Sequence, residues 1–171
     1  RRPPRSTLLA SSAASDVYMR QTQTISSTSS TISALLNSKK LICDDNKIAF
    51  DTQLDFNNIY INDFTLITVL GNILDNAITA ASKLDNGYIN LAIKQADTYL
   101  AIHCENNHHE KIKKREGRFI SSKPSSGSKA NPLHGLGLIS VTNNVNKYGG
   151  TIDINYNDTT FIVDILIPNY R

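Results

Sequence analysis

Asn72, Asp75, Asn76 and Thr79 interrupt an otherwise apolar stretch at offsets of 0, 3, 4 and 7. On an α-helix those offsets fall on one stripe. Their neighbours Leu66, Ile67, Leu70, Ile73, Leu74, Ala77 and Ile78 are apolar, so most of such a helix must be buried. A buried amide without a partner costs about 1–3 kcal/mol. Two asparagines and an acid on one stripe therefore need water, a capping loop or a ligand. Their side-chain oxygens suit a hard cation. Mg²⁺ takes oxygen donors and keeps several waters when it bridges phosphates.

A second group is His134-Gly135-Leu136-Gly137-Leu138-Ile139-Ser140-Val141. Two glycines spaced by one residue open an amphipathic helix. Glycine lets backbone approach a ligand closely, and a helix N-terminus offers free N–H groups to phosphate. Alone, the pair reads equally well as a plain turn. It lacks the leading strand and third glycine of a dinucleotide fingerprint. Just before it, residues 111–129 carry Lys111, Lys113, Lys114, Arg115, Arg118, Lys123 and Lys129 against one acid, Glu116. Such a run is either a solvated basic loop or an attractor for phosphate.

The elements that must position these groups follow from periodicity. Ile32, Leu35, Leu36, Leu41 and Ile42 predict a helix over 31–45. Ile48, Phe50, Thr52 and Leu54 alternate as a strand. A helix from Asn62 or Asp63 to about Leu84 ends before the turn Asn86-Gly87. Strands follow over 88–95 and 99–104, joined tightly through Ala96-Asp97-Thr98. A long irregular stretch of about 106–133 comes next, of a length that is usually functional or disordered. A helix over 135–148 is stopped by Gly149-Gly150. Strands over 151–156 and 160–167 close the chain. Helices interleaved with hairpins predict an α+β fold, a two-layer sandwich with helices on one face of a mixed, largely antiparallel sheet.

Composition narrows the function. With 171 residues, 40% of them apolar, one packed domain is expected. Residues 1–30, rich in Ser, Thr, Arg and Pro, read as a disordered leader or expression remnant and the end of an upstream helix; 31–171 is the domain. A formal charge of +3, no tryptophan and 7% aromatics offer no footing for nucleic acid. Cys43 and Cys104 lack metal-site spacing and read as reduced thiols. His108-His109 fits a structural or lid role better than a metal site. No apolar run approaches the ~20 residues that span a bilayer.

The two groups together are far more specific than either alone. The run Leu70 to Ala81, with its Asp75-Asn76-Ala77 core, resembles the N box of the GHKL ATPase superfamily shared by histidine kinases, gyrase, Hsp90 and MutL. His134 to Val141 resembles that superfamily's second glycine box. The form of both, and the segment Leu35-Leu36-Asn37-Ser38-Lys39, resemble the peptide-pheromone receptor kinases of Gram-positive bacteria. The likeness covers roughly residues 30–168.

The resemblance implies a Bergerat-type ATP-binding domain with ATP and Mg²⁺ as cofactors. Asn76 would coordinate Mg²⁺, Asn72 would sit beside the phosphates or metal, and Asp75 would line the pocket. His134, Gly135, Leu136, Gly137 and Leu138 would close a lid of about 107–133 over the triphosphate, with Lys123 contacting phosphate. The family's Asp-x-Gly-x-Gly box is missing: the strand ends Cys104-Glu105-Asn106-Asn107. Asn106 takes the adenine side, with Glu105 as rival. Thr79 stands where the subgroup often has Glu.

The implied reaction moves the ATP γ-phosphoryl group to a histidine imidazole by positioning and charge neutralisation. The acceptor would lie upstream on a dimerisation domain, and no histidine precedes His103. The chain is therefore expected to be inactive alone, the cytoplasmic part of a homodimeric, membrane-anchored kinase that serves a response regulator. Two other readings stay open: an anti-sigma-factor-type serine kinase, and a degenerate nucleotide-binding or interaction module.

Overall fold

The computed structural model describes residues 29–109, 113–115, 118–120 and 136–170. Residues 1–28 of the leader, Lys123, His134 and Gly135 lie outside them. Helix α1 spans Ser30–Asp45, strand β1 Ala49–Asp55 and helix α2 Asp63–Ala81. Strands β2 (Tyr88–Ala96) and β3 (Tyr99–Asn107) follow, then a short pair, β4 (Lys113–Arg115) and β5 (Arg118–Ile120). Helix α3 covers Leu136–Lys147, and β6 (Thr151–Tyr156) and β7 (Thr160–Pro168) end the fold.

Five strands form one sheet in the order β1-β2-β3-β7-β6. Strand β1 runs parallel to β2 because α2 lies between them in sequence; every other pairing is antiparallel. The α+β expectation, helices with a mixed five-stranded sheet, holds. Strand β3 runs three residues beyond the expected Cys104, because β7 continues to pair with it as far as Asn107↔Thr160. The β4–β5 hairpin falls within the stretch expected to be irregular.

Alternation in β2 and β3 sends Ile89, Leu91, Ile93, Leu100, Ile102 and Cys104 to the helix-covered face. Strand β7 adds Val163, Ile165 and Ile167. Helix α2 packs between α1 and α3 over this face and buries Leu66, Val69, Leu70, Ile73, Leu74, Ala77 and Ala81. It starts where the Asn62 side chain accepts from the Phe64 N–H at 2.8 Å, with Asp63 in the first turn against the helix dipole. By length and composition α2 could cross a membrane, with a mean hydropathy of 1.4. That departs from the sequence expectation, and burial explains it: 44% of the span lies inside the fold, so both helix flanks and the sheet face must be apolar.

Candidate nucleotide site

The stripe on α2 is graded from half-buried to exposed. Asn72 and Thr79 are half-buried, while Asp75 and Asn76 are exposed. Asn72 Nδ2 donates to the Thr68 carbonyl one turn back at 2.7 Å. That bond fixes the amide and leaves Oδ1 as a free acceptor. Among the described residues, the Asn76 amide makes no hydrogen bond.

Helix α3 runs antiparallel beside α2. Its far end is tied where the Asn62 N–H donates to Tyr148 Oη at 3.3 Å. Thr65 also bonds that phenol, and together these bonds lower its pKa. Its near end brings Gly137 onto the stripe. A Cβ built at Gly137 would stand 3.1 Å from Asn72 Oδ1 and 3.6 Å from Asn76 Nδ2. The two sequence groups, far apart in the chain, thus meet closely enough that a side chain at Gly137 would need the Asn72 amide to give by a few tenths of an ångström. Leu136 is exposed at the first turn of α3 and Leu138 is half-buried.

The end of β3 separates the two adenine-side candidates. Asn106 is paired with Ile89 and is buried on the helix-covered face at 4% exposure. Its Nδ2 donates to the Asn107 carbonyl at 2.9 Å, which leaves Oδ1 as an acceptor. Glu105 lies on the opposite face. There it accepts from Tyr88 Oη at 2.7 Å, a bond that raises the phenol's pKa. So Asn106 shares a face with Asn72 and Asn76, and Glu105 does not. Alternation over a strand of settled length decides this, and that length was not visible in sequence.

Several residues shape the site without an obvious sequence signal. Asn107 accepts from the Tyr88 N–H at 2.8 Å and donates to the Asn86 carbonyl at 2.9 Å, locking the α2–β2 turn to the end of β3. Asn169 bonds the Tyr60 N–H and the Asn58 carbonyl, each at 2.8 Å, and so anchors the loop that feeds α2. Lys39 of α1 meets Asp75 at 2.6 Å. All five contacts are long-range, and no local pattern marks them.

The remaining candidates sit elsewhere. His103 Nδ1 lies 2.7 Å from Asp164 Oδ1 on the uncovered sheet face. That pair borders a concavity of about 570 Å³ with Gln53, Lys94 and Asp153, across the sheet from the stripe. His108 is buried and His109 exposed. Burial pushes the thiol pKa of Cys43 up to about 11 and that of Cys104 up to about 12; both are free and buried.

The donors present fit Mg²⁺ with a polyphosphate. They are uncharged amide oxygens, hard in character and few enough to leave coordination positions for water and phosphate. A family model described as GHKL domain matches residues 61–168. No curated protein matches the chain. Among solved structures, the fold is similar to Acinetobacter baumannii histidine kinase AdeS (TM-score 0.59, 17% identity, 82% of this chain and 64% of that one). It is also similar to the mycobacterial sensor histidine kinase MprB (TM-score 0.57, 19% identity, 81% and 95% covered). The catalytic domain of histidine kinase ThkA is another neighbour (TM-score 0.56, 19% identity, 81% and 93% covered). At these identities the likeness establishes the fold. The chain spans less than two thirds of the AdeS chain.

Proposed function

Because the chain belongs to the GHKL domain family, we propose that it is the Mg-ATP-binding catalytic domain of a two-component sensor histidine kinase. The observation that carries this reading is the meeting of Asn72 and Asn76 with Gly137. It joins a free oxygen donor, an uncommitted amide and a glycine-opened helix terminus in one place.

In this reading Asn76 supplies a metal ligand and Asn72 presents Oδ1 beside it. Mg²⁺ held there would supply charge neutralisation for the phosphate oxygens. Gly137 lets the α3 backbone come close to phosphate, and the N–H groups of the first turn of α3 face it. The Asn106 carbonyl oxygen accepts from the adenine amino group, without the charge an aspartate would bring. Asp75 borders the pocket on the α1 side. Lys123, His134 and Gly135 complete the lid on sequence grounds. The phosphoryl acceptor is a histidine on a dimerisation domain of the parent kinase, which is membrane-anchored, homodimeric and coupled to a response regulator. The pheromone-receptor subgroup is the relationship that the sequence motifs favour.

Calorimetric titration with Mg-ATP tests the reading. Binding in the micromolar to low-millimolar range is expected, and Asn76→Ala should remove its Mg²⁺ dependence. Undetectable binding at millimolar nucleotide would favour a non-catalytic module. Labelled ATP should leave no acid-labile label on this chain alone. Phosphohistidine should appear when the parent's helical domain is added.

A further inference from the structure

Helices α1 and α2 are clasped twice by polar side chains. Near their N-termini, Thr31 Oγ1 donates to Asp63 Oδ2 at 2.7 Å. About two turns further along α1, Lys39 Nζ meets Asp75 Oδ1 at 2.6 Å. The second clasp is asymmetric. The Lys39 side chain is 14% exposed and the Asp75 side chain 63%. An ion pair between two freely moving surface chains contributes little. Here the cation is held in place by its surroundings, and the carboxylate is the partner able to turn.

Asp75 directly precedes Asn76 and lies on the solvent edge of the same stripe. Without a partner, its carboxylate would be a free negative charge well within a Debye length of a triphosphate bound at Asn76. Helix α1 reaches the core through a narrow line of buried side chains, Ile32, Leu36 and Cys43. Ala34, Ser38, Leu41 and Ile42 on its other faces are exposed. Ile32, Leu36 and Cys43 are at most 1% exposed and Leu35 also packs on the core, so taking Lys39 off Asp75 requires α1 to shift against that packing.

We propose that Lys39 is a positioning residue of the nucleotide site: it draws the Asp75 carboxylate toward α1 and neutralises it, so that nucleotide affinity depends on where α1 sits. This rests on the reading of the Asn72–Asn76 stripe as the Mg-nucleotide site. Lys39 acts through Asp75 and not by touching phosphate. The helix that enters the domain thereby gains a route to the phosphoryl donor.

The test is Mg-ATP calorimetry on the unaltered chain and on Asn76→Ala, Lys39→Met, Lys39→Arg, Asp75→Asn and Lys39→Met/Asp75→Asn. Lys39→Met should bind about five- to tenfold more weakly at low salt, with the gap closing near ~0.5 M salt as screening shortens to a few ångströms. Lys39→Arg should stay within about twofold, since it keeps the charge. The double variant should recover to within about twofold, because the unpaired carboxylate is gone. Asp75→Asn alone closes the cycle: the double variant should match it within about twofold, whereas losing a Lys39 that attracted phosphate directly would still cost affinity once Asp75 is replaced. Unchanged affinity in Lys39→Met, or a double variant no tighter than Lys39→Met, overturns it. If the unaltered chain fails to bind, or Asn76→Ala binds equally well, the site reading itself fails and the proposal falls with it.

Discussion

At the scale of single residues, Gly137 is the most constrained position in the candidate site. Its missing Cβ leaves only 3.1 Å to Asn72 Oδ1, and the Asn72 amide is already held by Thr68. A methyl group there must push the oxygen aside by a few tenths of an ångström. The same change does not oppose the helix: Gly137 is the second residue of α3, where alanine keeps part of the advantage over glycine that reaches about 1 kcal/mol in a helix interior. Gly137→Ala should therefore leave the unfolding midpoint unchanged or raised while Mg-ATP affinity falls several-fold. Parallel loss of stability and affinity would show that the glycine serves the fold and not the ligand.

At the scale of elements, the α2–β2 connection sets where the stripe meets the sheet. A Cβ on Gly87 would lie 2.4 Å from the Ala81 carbonyl oxygen, which is backbone and cannot swing away. Gly87 also accepts from the Ala49 N–H at 2.9 Å, so the turn holds the start of β1 as well. Gly87→Ala should destabilise the fold by about 1–3 kcal/mol, as over-filling a packed site does. Urea unfolding of the two chains measures this, and a change below about 0.5 kcal/mol would contradict the contact.

At the scale of the whole molecule, the apolar core governs behaviour at high pH. Cys104 lies inside it, and burial holds its thiol protonated up to about 12, against 9.0 in an unfolded chain. Between those values the unfolded chain has lost the proton and the folded chain has not, so folding weakens as pH rises. The thiol's contribution is fully present below about pH 9 and is lost at about 1.4 kcal/mol per pH unit above it. The stability of Cys104→Ala should fall less steeply over pH 9–11 than that of the unaltered chain. Equal slopes would show that the thiol ionises freely in the native state.

The sequence alone determined the three helices and the five strands of the main sheet, though not the full length of β3 or the β4–β5 hairpin, because apolar spacing repeats differently in helices and strands. It also determined the stripe: Asn72, Asp75, Asn76 and Thr79 were legible because polar side chains are conspicuous on a helix apolar on its other faces. Only tertiary structure decided what the stripe meets. The approach of Gly137 to Asn72 depends on how α3 lies against α2, and helix packing leaves no local trace in either segment. The sides taken by Glu105 and Asn106 depend on how far β3 runs, which β7 settles by pairing with it to the end. Lys39 was invisible for the same reason: its partner lies thirty-six residues away, on a helix whose placement the core decides.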